Sequence, residues 1–126
     1  MDIRESLFER FVKTHSKSEV IFQQNAKGKE MYVIYSGKVR LVLTTPDGRE
    51  KVLGVLEPGE FFGEMALIDF GANIRSATAI ADEDDTRLLV LDRAKFTYLI
   101  RHQPEFALII MRKLAERLRE ANIASN

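Results

Sequence analysis

Val39-Arg40-Leu41-Val42-Leu43-Thr44-Thr45-Pro46-Asp47-Gly48-Arg49-Glu50-Lys51-Val52-Leu53-Gly54-Val55-Leu56 is the stretch on which the fold turns. Val39, Leu41 and Leu43 alternate with Lys38, Arg40 and Val42, the period of two that puts successive side chains on opposite faces of a strand. Thr45-Pro46-Asp47-Gly48 then supplies turn chemistry: proline presets one backbone angle, the aspartate carboxylate bonds nearby amides, and glycine accepts a positive φ. The run from Arg49 to Leu56 resumes strand character, so the stretch reads as a β-hairpin.

Working outward, similar short runs recur at Val20–Phe22, Met31–Tyr35, Ala77–Ile80 and Arg87–Leu91, separated by Lys27-Gly28, Ser36-Gly37 and Pro58-Gly59. Many short strands with regularly spaced turns predict a mainly β fold, an antiparallel jelly-roll barrel (double-stranded β-helix) over residues 17–92. Helices flank it. Ile3, Leu7, Phe8, Phe11 and Val12 share one face at helical spacing, with Asp2 and Glu5 in capping positions, which predicts an N-terminal helix over residues 1–16. Asp92 caps a helix running to Arg101, and Pro104 opens a second, giving two C-terminal helices over residues 93–123. In the last of them Ala107, Met111, Leu114, Leu118 and Ala121 alternate spacings of four and three, the stripe by which one helix packs on another.

Composition bounds the function. A chain of 126 residues is the size of one domain. Cysteine is absent, which removes disulfides, thiol catalysis and cysteine-based metal centres. The 19 basic and 19 acidic residues balance, so no broad basic face for DNA or RNA is expected, and no direct nucleic-acid partner. No apolar run approaches the roughly 20 residues of a membrane span, and the charged N-terminus lacks a secretory signal, so the expected location is cytoplasmic, without a membrane partner.

The chemistry concentrates in Phe61-Phe62-Gly63-Glu64-Met65-Ala66-Leu67-Ile68 and Arg75-Ser76-Ala77-Thr78. The first reads as a helical turn entered through glycine, whose leading amides favour an anion. Arg75 adds a rigid fork of donors matched to phosphate oxygens, and Ser76 a hydroxyl. Glu64 would repel a phosphate so close by; an ionised carboxylate accepts hydrogen bonds only, and a sugar hydroxyl satisfies it. Ribose cyclic phosphate presents both groups a few bonds apart.

These two segments resemble the phosphate-binding cassette of the cyclic-nucleotide-binding domain family, found in bacterial catabolite activators, cyclic-nucleotide-dependent kinases and some ion channels. Glu19-Val20-Ile21-Phe22, the run from Met31 to Gly37, Pro58-Gly59-Glu60-Phe61 and the closing helices extend the resemblance over nearly the whole chain. It implies a single cyclic-nucleotide-binding domain over 1–126, with the cassette at 61–79. Glu64 would accept the ribose 2′-hydroxyl, Gly63 would allow close backbone approach, and Arg75 and Ser76 would bind the phosphate. Phe62, Met65, Ala66 and Ala77 complete the cassette surface, and Leu41, Leu53 and Leu56 would line the base pocket. Arg117, Ala121 and Asn122 occupy the positions from which the last helix covers the base in catabolite activators. There a threonine hydroxyl meets the adenine, where this chain has Ala121 beside Asn122. Serine at position 76 is common in bacterial cyclic AMP binders and threonine accompanies a preference for cyclic GMP, so cyclic AMP is the favoured ligand.

The function expected is a non-catalytic regulatory module that binds a cyclic nucleotide, with no cofactor and no metal. Binding would pass through the C-terminal helix to a homodimer partner or to an effector outside the chain. Two alternatives compete. One is a dimerisation module whose pocket is vestigial. The other is a cupin-like barrel enzyme, disfavoured because His15 and His102 stand apart as surface residues and no nucleophile has a neighbouring base. Asp82-Glu83-Asp84-Asp85 lacks the glycine and ligand spacing of a calcium loop and reads as a solvated turn.

Overall fold

The computed structural model describes residues 10–68 and 73–125. In chain order the elements are β1 (Val12–His15), β2 (Val20–Phe22), β3 (Met31–Ser36), β4 (Val39–Thr44), β5 (Glu50–Leu56), β6 (Phe61–Phe62), α1 (Met65–Ile68), β7 (Thr78–Ala81), β8 (Thr86–Leu91), α2 (Arg93–His102) and α3 (Glu105–Ser125). The strands form two antiparallel four-stranded sheets, ordered β1-β8-β3-β6 and β2-β7-β4-β5. The jelly roll expected from the turn spacing is present, built as two separate sheets rather than a closed barrel.

Met31-Tyr32-Val33-Ile34 and Leu88-Leu89-Val90-Leu91 are apolar at every position because the first sheet is covered on both faces. Tyr32, Ile34, Phe62, Leu88 and Val90 point inward, where they meet Val39 and Ala79 of the second sheet. Met31, Val33, Phe61, Leu89 and Leu91 point the other way and bury Leu99 of α2 with Phe106 and Ile110 of α3. The molecule therefore carries two apolar layers, and the first sheet is the wall between them. Burying a single such Leu, Ile or Phe side chain contributes about 1.5–3 kcal/mol.

The expected N-terminal helix is present at Arg10 and Phe11, the first described residues, and needs correcting only beyond them. Val12–His15 form β1, which pairs antiparallel with β8 from Val12↔Leu89 to His15↔Thr86. Helical spacing of the apolar residues ahead of it does not reveal that the edge of the first sheet requires a partner. Residues 1–9 lie outside the described residues, so Ile3, Leu7 and Phe8 are not placed. β6 is a second strand that the sequence reading did not separate from the helical turn after it. His15 is also less exposed than expected: it pairs with Glu19, and its Nε2 is buried.

The C-terminal boundaries follow their caps. Asp92 accepts a hydrogen bond from the Lys95 amide at 2.8 Å and starts α2, and the Gln103 amide closes that helix on the Leu99 carbonyl at 2.7 Å. Pro104 then precedes α3, a helix of 21 residues. No helix among the described residues is long and apolar enough to cross a membrane.

Candidate ligand-binding site

A cleft of about 310 Å³ opens between the second sheet, α1 and α3. Its size sits at the lower end of the roughly 300–1,000 Å³ typical of small-ligand sites. Gly63 is the pivot of its polar wall. The chain leaves β6 at Phe62, adopts φ +75° at Gly63 and enters α1, a turn that an L side chain resists. A Cβ at Gly63 would also stand 2.8 Å from Arg75 Nη1. The residue must be small for conformational and for steric reasons.

Arg75 reaches this wall from the start of the segment leading into β7 and is only 6 % exposed. Its Nη2 donates to the Glu30 carbonyl at 2.8 Å, and its Nη1 to the Gly63 carbonyl at 3.3 Å. The guanidinium lies 4.3 Å from the Phe22 ring centre and 5.8 Å from that of Tyr32. Burial lowers the pKa of Arg75; Tyr32, Glu30 and Glu64 oppose the shift. Burial raises the Tyr32 hydroxyl and Glu30 adds to the rise, while Arg75 works against it. The result is a cation stored under apolar cover beside a cleft, with Nε buried and lacking a partner.

Glu64, 9 % exposed, occupies the other side of the pivot. Its Oε1 accepts from Arg117 Nη1 at 2.7 Å, while Arg117 Nη2 donates to the Phe61 carbonyl at 2.6 Å. Arg117 also stacks on the Phe61 ring, 4.5 Å from guanidinium carbon to ring centre. One side chain thereby ties α3 to β6 and to the entry of α1. A carboxylate has two oxygens and several lone pairs, so a sugar hydroxyl on Oε2 is compatible with Arg117 on Oε1.

The structure brings Phe62, Gly63, Glu64, Met65, Ala66, Arg75, Ser76 and Ala77 to the wall of this cleft, together with Leu41, Leu56 and Arg117. Leu53, Ala121 and Asn122 do not line it. For Leu53 the reason is a β-bulge: Leu41 pairs with Gly54 and Val42 with Val52, leaving Leu53 as the extra residue, 50 % exposed. Alternation counted along the sequence cannot see such a phase change. Ala121 and Asn122 are exposed on α3, beyond the point where Arg117 turns back to the cleft.

Phe61 and Ile74, inside the expected 61–79 segment though not singled out there, also line the cleft, and so does Phe22, which was not anticipated. Phe22 sits in a three-residue strand whose sequence gives no sign that its ring meets a cation 53 positions later. The apolar stripe expected on α3 is divided between two faces. Leu114 packs toward the core, whereas Leu108, Met111 and Leu118 face outward. No cluster of three or more histidine, aspartate or glutamate side chains suited to a metal occurs among the described residues.

Comparison with known proteins agrees with this geometry. Residues 12–103 match the model of the cyclic nucleotide-binding domain. The chain is 44% identical over 123 residues to the cyclic AMP receptor protein of Thermus thermophilus, covering 98% of this chain and 55% of that protein. It is 35% identical over 106 residues to a CRP-like cAMP-activated global transcriptional regulator of Mycobacterium tuberculosis, covering 84% of this chain and 46% of that one. The crystal structure of Thermus thermophilus catabolite activator protein superposes with a TM-score of 0.79 at 42% identity, over 94% of this chain and 55% of that one. The chain thus spans about half the length of the curated relatives it matches.

Proposed function

The chain belongs to the cyclic nucleotide-binding domain family, and we propose that its cleft takes cyclic AMP and that α3 carries the binding event outward. One observation carries this reading: a buried arginine and a buried carboxylate flank a single glycine pivot in a cleft with apolar walls. Arg75 would hold the cyclic phosphate, helped by Ser76 and the amides around Ala66 and Ala77. Glu64 would accept the ribose 2′-hydroxyl. Leu41 and Leu56, with Phe22 and Ile74, would cover the base with apolar surface. Such a wall grips any purine, so the preference for cyclic AMP over cyclic GMP rests on Ser76 and on the cyclic AMP named for both relatives above.

Transmission follows from Arg117. It is the side chain that α3 sends to the ligand-binding carboxylate, so any change at Glu64 on binding is felt by α3. The two-state element is α3, and the differential contact is the Glu64–Arg117 pair. Leu108, Met111, Ala115, Leu118 and Asn122 recur at spacings of three and four on the exposed side of α3, the pattern of a helix seam with one polar register position. A second copy of the chain would bury that stripe. The output lies with an effector outside these residues, and the module itself performs no catalysis.

The test is thermal unfolding with cyclic AMP and cyclic GMP, with sedimentation of the same samples. A ligand bound only by the native state stabilises it by RT ln(1 + [L]/Kd), about 2.7 kcal/mol at a hundredfold excess over Kd. Cyclic AMP should raise the melting temperature more than cyclic GMP, and the protein should sediment as two chains. An unchanged melting curve at millimolar concentrations of both nucleotides would sink the reading in favour of a vestigial pocket.

A further inference from the structure

Gly28 has no conformational reason to be glycine: its φ lies outside the left-handed region that L side chains resist. Its reason is space. A Cβ built there would fall 2.0 Å from Arg75 Nε and 2.2 Å from Arg75 Cζ, closer than any real contact. The ring of Phe22 bounds the same guanidinium at 4.3 Å. The backbone on either side is fastened as well. The Gly28 amide bonds the Asn73 carbonyl at 2.7 Å, the Arg75 amide the Ala26 carbonyl at 2.8 Å, and the Asn25 amide the Arg75 carbonyl at 2.7 Å.

We propose that Phe22 and Gly28 form a slot that positions the Arg75 guanidinium for anion capture, although neither offers it a hydrogen-bonding side chain. The inference rests on the reading of Arg75 as the phosphate-binding residue. A free arginine carries considerable rotamer entropy that phosphate binding would have to remove. Inside the slot, the Glu30 and Gly63 carbonyls each take a donor from a different terminal nitrogen, and the Phe22 face fixes the plane. The remaining donors are thereby aimed before any ligand arrives. Gly28, which does not line the cleft, is a positioning residue that acts on the ligand through Arg75; Phe22 does the same in addition to the apolar cover it gives the base.

Gly28→Ala is a sharp probe, because the atoms it meets are the far end of one flexible side chain. The fold should persist while the guanidinium is pushed out of the slot. Calorimetry with cyclic AMP should show affinity about tenfold weaker, the scale of one charge-assisted hydrogen bond lost. Phe22→Leu, which keeps apolar bulk but removes the π face, should weaken binding about threefold, and Phe22→Tyr should restore it. A second probe reads position directly. The Rp and Sp phosphorothioates of cyclic AMP exchange sulfur between the two exocyclic oxygens, and a fixed Arg75 should discriminate between them. Gly28→Ala should collapse that discrimination, which a purely structural role would leave intact.

Without nucleotide, the Arg75 Nε–H resonance of the wild type should carry a ring-current shift that Phe22→Leu removes. Wild-type protein that binds neither cyclic AMP nor cyclic GMP overturns the phosphate role of Arg75, and that resonance still reports whether the slot exists. Wild-type binding with Gly28→Ala within twofold in Kd, and with its phosphorothioate preference unchanged, overturns the slot.

Discussion

At the cassette end of the cleft Arg75 and Glu64 are buried, and Arg75 is bonded to the Glu30 and Gly63 carbonyls. At the helix end one half-exposed arginine reaches across, and residues 118–123 after it are exposed. The difference separates two tasks. The cassette end is organised ahead of the ligand, because a buried cation with fixed neighbours has little left to lose on binding. The helix end is tied to the cleft through Arg117, so a change at Glu64 would shift its equilibrium. On the proposed function, recognition would lie where the structure is stiff, and signalling where it is lightly tethered.

The largest blow to this contrast should come from Arg75→Ala. Removing a buried, hydrogen-bonded charge partner costs about 2–5 kcal/mol, so cyclic AMP affinity should fall at least about thirtyfold. Calorimetry checks it, and a loss below threefold would make the two ends of the cleft equivalent. Arg117→Ala is next. The Arg117–Glu64 pair is partly exposed, so the expected change in affinity is only several-fold. Amide exchange along α3 should rise, and its response to cyclic AMP should shrink. Exchange that stays ligand-dependent in Arg117→Ala would move the signalling link elsewhere. Smallest of all, Leu53→Ala and Asn122→Ala should leave Kd within about twofold, as expected of surface positions away from the ligand. A tenfold loss in either would return that residue to the pocket.

Much of this was legible in the chain. The hairpin at Val39–Leu56 and the Asp92 cap are announced by residues within a few positions of one another, and the structure places them where the pattern does. The cassette is legible for the same reason: Gly63 and Glu64 are adjacent, and Arg75 follows Glu64 by eleven positions. β1 was misread because Val12–His15 become a strand only through pairing with β8, more than seventy positions later. Leu53 was misplaced because one extra residue in β5 reverses the alternation, and nothing in the local sequence marks it.

By itself the sequence determined the period-two strands, the turns, the caps, and the glycine, glutamate and arginine of the cassette, since each depends on backbone preferences or on neighbours along the chain. Tertiary structure alone decided which face of the doubly covered first sheet meets the helices, and that Arg117 rather than Asn122 returns to the cleft. It also decided that Phe22 and Gly28 close on Arg75. Those outcomes depend on contacts between side chains dozens of residues apart, and such contacts exist only once the two sheets and α3 have packed.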